Sequence, residues 1–132
     1  MWTQILAVIA GLVAGFVVVS LAMALSSLIY KPPKDLDFQD RSAMQLYMET
    51  LPLGAFLLVL LGHALGAFSG AFVCQLIVGT PWQIGPMIIG GFFLLGGLMN
   101  LRMVPHPTWF AALDLLSYLP AAWLGGYLAR LI

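Results

Sequence analysis

Four long apolar runs dominate the pattern of hydrophobic and polar positions along the chain. They cover residues 2–30, about 53–78, about 82–103 and about 108–131. A helix that crosses the apolar core of a bilayer needs about 20 mostly apolar residues, and each run is long enough. The pattern therefore predicts an all-α integral membrane four-helix bundle, with residues 1–132 forming a single transmembrane domain.

The long connection between the first two runs, residues 31–52, has a different pattern. Asp40 can cap a helix that ends near Leu51, and apolar side chains recur in it at helical spacing. These apolar positions are Met44, Tyr47, Met48 and Leu51. We therefore expect a short amphipathic helix at the membrane interface, with a plain solvated loop as the alternative.

The other two connections are short. Gly79 can end the second span, Thr80 can cap the third, and Pro81 suits a first helical position. In "VPHPTWF", Thr108 or His106 could cap the fourth span. Such short turns predict that spans two and three, and spans three and four, are antiparallel neighbours.

Composition supports a lipid environment. The chain is 62% hydrophobic and only 8% charged, whereas soluble domains are about one quarter charged. The formal net charge is zero, which gives no reason to expect a nucleic-acid partner. Membrane lipids are the expected contacts, and the sequence indicates no cofactor.

Basic residues give a preferred orientation. Four of the five Lys and Arg residues fall on the side of loops 31–52 and 104–107, and only Arg130 falls on the side of the termini. Because cytoplasmic loops are enriched in Lys and Arg, we expect both loops in the cytoplasm and both termini outside.

Glycines follow one face of the second span. Gly62, Gly66 and Gly70 form a double G-x3-G repeat, a glycine zipper, and Gly11 and Gly15 repeat the spacing in the first span. Small residues let helix backbones approach closely in lipid. The stripe therefore predicts a packing face, whose partner could be span one, another copy of the chain or another protein.

Polar residues inside the spans are few. Asp114 lies roughly 9 Å into the fourth span and His63 roughly 15 Å into the second, so their side chains could meet. Asn100, Arg102 and Ser27 belong to the same half of the bundle. A structural hydrogen-bonded cluster is the favoured interpretation. Asp114 could then pair with Arg102, whereas pairing with His63 would make a proton-handling site possible.

The sequence offers little for catalysis or metal binding. A metal site needs three or four ligands at close quarters, and the chain has two histidines, of which His106 lies in a turn. No G-x-S-x-G motif is present. We expect no catalytic residue and no metal ligand.

The segments "SLIYKPPKDLDFQD", "LPLGAF" and "VPHPTWF" resemble a group of small four-span bacterial integral membrane proteins. Members of that group end span one in a Tyr-Pro-Pro type of motif and place Pro-His-Pro before Trp-Phe. The resemblance implies the topology and a bacterial inner membrane, but no activity. Some members carry an acid and a histidine late in span one, where this chain reads "MALSS", Met23 to Ser27.

These features favour a non-enzymatic protein that acts through helix–helix contacts, as an accessory or assembly subunit of a larger membrane complex. The alternative is a small homo-oligomeric transporter or channel that uses His63 and Asp114. An enzyme that acts on a lipid or quinone is the third possibility.

Overall fold

The computed structural model describes residues 1–79 and 83–132 and is all-helical over that part of the chain. About 83% of it is helix, and the described residues contain no strand. The predicted starting residues of the third span, Thr80 and Pro81, lie outside the described part. The five helices are α1 (Trp2–Ile29), α2 (Arg41–Thr50), α3 (Leu53–Val78), α4 (Ile84–Met103) and α5 (Thr108–Arg130).

Three of these helices, α1, α3 and α4, are long and apolar enough to cross a membrane. The predicted membrane character of the chain is therefore confirmed at this level. Helix α5 has 23 residues, but Asp114 and Pro120 lower its mean hydropathy, and it does not meet the same requirement. The fourth span remains a proposal.

Glycines bring the backbones of α1 and α3 together. A Cβ added at Gly70 would lie 2.7 Å from the carbonyl oxygen of Gly11. One added at Gly15 would lie 2.6 Å from the carbonyl oxygen of Gly66. Both distances are too short for a side chain, so the glycine stripe of α3 packs against span one of the same chain.

Helix α3 is the centre of the fold and contacts α1, α4 and α5. Gly125 of α5 lies against the backbone of Phe68 in α3, again closer than a side chain would allow. Helix α4 packs mainly on α5, where a Cβ at Gly90 would come within 2.9 Å of the Ala122 Cβ. Five of the eight residues in the core are small, namely Ala7, Ala67, Ala71, Cys74 and Ala122, and the three large ones are Ile89, Phe93 and Tyr118.

The helix ends show where local sequence decides the structure. The Asp40 carboxylate accepts hydrogen bonds from the backbone N–H groups of Ser42 and Ala43 and so caps α2. Gly79 ends α3 at φ +73° and ψ −173°, a conformation that is essentially restricted to glycine.

The expected cap of the fourth long helix differs from the prediction. Helix α5 follows Pro107, and neither Thr108 nor His106 provides a side-chain cap. The His106 Nδ1 instead donates a hydrogen bond to the Val104 carbonyl, 3.1 Å away, inside the turn. Thr108 is the first helical residue, and the residue in the capping position is Pro107. Proline has no side-chain acceptor for the free backbone N–H groups in the first turn of α5.

Candidate functional site

A buried polar cluster joins α3 to α5. The Nδ1 atom of His63 lies 2.8 Å from Oδ1 of Asp114. The hydroxyl of Tyr118 donates a hydrogen bond to Oδ2 of Asp114 over 2.9 Å and lies 3.0 Å from the same His63 nitrogen. The three side chains thus close a ring of contacts, which we call the His63–Asp114–Tyr118 cluster.

The cluster is nearly sealed. Asp114 has no exposed surface, Tyr118 is 2% exposed and the His63 side chain is 12% exposed. Each carboxylate oxygen has a partner, as a buried carboxylate requires. Because a carboxylate only accepts hydrogen bonds, the geometry assigns the donor hydrogen to Nδ1 of His63 when Asp114 is ionised.

The positions of the three side chains follow from the helices that carry them. Asp114 and Tyr118 are four residues apart on α5 and therefore share one face. A Cβ at Gly97 of α4 would lie 2.5 Å from Cε2 of Tyr118, so the missing side chain leaves room for the ring. Gly62 faces Ala22 of α1, and the next residue, His63, is turned by about 100° towards α5.

The structure separates the other residues expected in this cluster. Asp114 is paired with His63 and not with Arg102, whose side chain is exposed at the last turn of α4. At a helix end, the long side chain can place its charge at the surface, where charge is least costly. Asn100 is half-buried and Ser27 is exposed, and both line a separate cavity.

Tyr118 is the partner that sequence reasoning did not assign. Its position one helical turn after Asp114 was the available signal, because residues at i and i+4 meet on a helix surface. That spacing alone does not distinguish a tyrosine that binds the carboxylate from one that only packs between helices. The contact with His63, which lies on a different helix, shows that Tyr118 belongs to the cluster.

The cluster has two chemical capabilities. It can hold α3 and α5 together through largely buried hydrogen bonds, and an imidazole against a carboxylate can exchange a proton. Within residues 1–79 and 83–132, no group of three His, Cys, Asp or Glu side chains is placed to hold a metal ion.

Comparisons with protein-family models, curated proteins and solved structures give no match. The class of the protein follows from the fold: three long apolar helices fit an integral membrane protein.

Proposed function

We propose that the protein is a four-span integral membrane protein that acts through contacts with another membrane protein, as an accessory or assembly subunit, and not through a reaction of its own. The observation that carries the proposal is the position of α1. This helix lies at the edge of the bundle, and only Ala7, Gly11 and Gly15 of its 28 residues are buried.

The fourth span in this proposal is α5. At about 1.5 Å per residue, its 23 residues reach about 34 Å, which is enough for a bilayer core of about 30 Å. Asp114 lowers the hydropathy of α5, but its carboxylate is buried and paired, so it would not face lipid. Four spans place both termini on one side, and the basic residues favour loops 31–52 and 104–107 in the cytoplasm of a bacterial inner membrane.

The polar cluster supports a structural role within this proposal. Among the described residues, buried polar or charged groups are few: the side chains of Asp114 and Gln75 and the hydroxyl of Tyr118. A path for a solute or a proton would need polar groups through the whole bundle. The hydrogen bonds of the cluster are therefore best explained as a tie between α3 and α5.

The outer face of α1 supports a contact role. Ile9, Val13 and Val17 repeat every four residues on this face, and all three are exposed and apolar. The glycine faces of α1 and α3 are already used against each other, so a further helix would have to pack on an exposed apolar face such as this one. Lipid is the alternative cover for such a surface.

Purification of the full chain in a mild detergent tests the proposal. A protein of 14.3 kDa that acts as a subunit should elute in a larger, stoichiometric complex with a second membrane protein. A clean monomer without a co-purifying protein would count against the accessory role.

One observation favours the second candidate, a small homo-oligomeric transporter or channel. The His63 side chain is incompletely buried, and its Nε2 has no hydrogen-bond partner among the described residues. An oligomer could give that atom a polar path that one copy lacks. This candidate predicts a pH-dependent flux in liposomes that Asp114→Asn abolishes, and an unchanged flux in the variant would exclude it.

A further inference from the structure

A cavity of about 270 Å³ lies between α2 and the ends of α1, α3 and α4. We call it the α2 cavity. It is separate from the polar cluster, and its size is near the lower end of small-molecule pockets, roughly 300–1,000 Å³. Its walls include Ser27, Met44, Tyr47, Val59, Asn100 and His106.

The cavity exists because α2 covers the bundle with side chains and not with its backbone. No Cα atom of α2 comes within 8 Å of a Cα atom in another described helix. The helix is held by Met44, which is 5% exposed, and by Arg41, whose Nη1 donates a hydrogen bond to the Arg102 carbonyl over 3.1 Å. The space between α2 and the bundle is bridged by flexible methionine and aromatic side chains, which adapt to irregular ligands.

The lining is apolar with a few uncharged polar groups. Methionine, aromatic and aliphatic side chains form most of it, and the polar groups are the hydroxyls of Ser26, Ser27, Tyr30 and Tyr47 and the amide of Asn100, together with His106. The lining residues include no Lys, Arg, Asp or Glu. A charged ligand group would therefore find no opposite charge in the wall.

His106 adds an acceptor to this set. Burial lowers the pKa of its imidazole below the usual 6.5, which favours the neutral ring at neutral pH. Its Nδ1 hydrogen is donated to the Val104 carbonyl, so Nε2 carries the lone pair. A ligand with a hydroxyl group could donate a hydrogen bond to such an atom.

We propose that the α2 cavity binds one acyl chain of a lipid with an uncharged, hydroxyl-bearing head, such as a monoacylglycerol. A cavity of about 270 Å³ leaves room for a stretch of an acyl chain. The chain would lie among Met44, Tyr47 and Val59, with the head near Asn100 and His106. The uncharged wall selects against anionic heads. The proposal does not depend on the contact function.

A photoreactive lipid tests the proposal. The full chain is reconstituted in phosphatidylcholine nanodiscs with a monoacylglycerol that carries a diazirine in its chain, and the labelled peptides are identified by mass spectrometry. We expect adducts on the peptide that contains Met44 and Tyr47, and we expect unlabelled monoacylglycerol to compete. Val59→Phe, which fills the cavity, should reduce this labelling about ten-fold, the equivalent of about 1.4 kcal/mol of binding.

Two variants keep the test interpretable. Leu95→Phe lies on the exposed face of α4, outside the lining of the α2 cavity, and should leave the labelling unchanged. Ser27→Trp fills the cavity from an exposed position, which folding tolerates more easily, and should act like Val59→Phe.

Several results would overturn the proposal. Absence of labelling on α2, or labelling that neither filling variant reduces, would exclude the α2 cavity as a site. Equal labelling by a diazirine phosphatidylglycerol would contradict selection for an uncharged head and would assign the site to phospholipid generally.

Discussion

The Nδ1 atom of His63 lies 2.8 Å from Oδ1 of Asp114, although the two residues are 51 positions apart and belong to different helices. The contact gives the one acidic residue of α5 a partner within the bundle. It also shows how a helix with a carboxylate in its first half can pack with that group buried inside the bundle.

Removal of the Asp114 carboxylate should weaken the fold. Asp114→Ala removes the acceptor that the Tyr118 hydroxyl and His63 Nδ1 share and leaves them only their 3.0 Å contact with each other. Two lost buried hydrogen bonds, at about 0.5–1.5 kcal/mol each, cost about 1–3 kcal/mol. We expect a loss of about 2 kcal/mol in the free energy of unfolding, within that range. Titration of mixed micelles with sodium dodecyl sulfate, followed by circular dichroism, measures it.

Ser117→Ala is the matched control for the carboxylate. Its hydroxyl donates a hydrogen bond to the backbone carbonyl of Asp114, 2.8 Å away, and does not touch the carboxylate. We expect a change of less than about 0.6 kcal/mol, the average for membrane hydrogen bonds. Equal losses in the two variants would contradict the role assigned to the cluster.

The pocket for the Tyr118 ring can be tested from α4. In Gly97→Ala, the new Cβ would lie 2.5 Å from Cε2 and 2.7 Å from the hydroxyl oxygen of Tyr118, so the ring has to move away from Asp114. Overpacking of this kind costs about 1–3 kcal/mol, and the same titration measures it. Gly96→Ala is the control, because a Cβ there meets nothing within 4 Å. Because alanine favours a helix more than glycine does, Gly96→Ala should lose no stability, and a loss as large as in Gly97→Ala would contradict the role assigned to the ring.

The packing of α1 on α3 depends on Gly66. A leucine there would collide with Val19 and approach the Gly15 carbonyl, so Gly66→Leu should push α1 away from α3. Spin labels at the exposed positions Leu6 and Leu76, in a Cys74→Ala background, report the separation of the two helices. We expect a longer and broader distance distribution. Gly91→Leu, where the Cβ meets nothing within 4 Å, should leave it unchanged, and an unchanged distribution in Gly66→Leu would refute the assigned interface.

The sequence predicts the helices well because long apolar runs and glycine spacing are local signals. The depth estimates from helix rise allowed His63 and Asp114 to meet, since rise along a helix is nearly constant. They could not exclude Arg102, because depth does not tell which way a side chain points. The role of Tyr118 could not be predicted for the same reason. Its partner His63 lies on α3, and the room for its ring comes from Gly97 on α4. Contacts between helices depend on rotation about each helix axis, which a single sequence does not report.

The proposed topology makes a prediction about accessibility. In a Cys74→Ala background, cysteines at Thr3 and Ile132 should react with a membrane-impermeant maleimide on intact cells. Four spans place both termini on the same side of the membrane, and the distribution of basic residues favours the outside. A cysteine at Lys34 should react only after the membrane is permeabilised. Reaction at only one of the two termini would indicate an odd number of spans and would contradict α5 as the fourth.

Photo-crosslinking in native membranes tests the proposed contact function most directly. A benzophenone amino acid is placed at Val13 on the outer face of α1 or, as a matched control, at Leu95 on the exposed face of α4. If the outer face of α1 contacts a partner, we expect one discrete adduct with a second membrane protein from Val13 and none from Leu95. Lipid adducts alone at both positions, or an adduct between two copies of this chain, would contradict an accessory role for the protein.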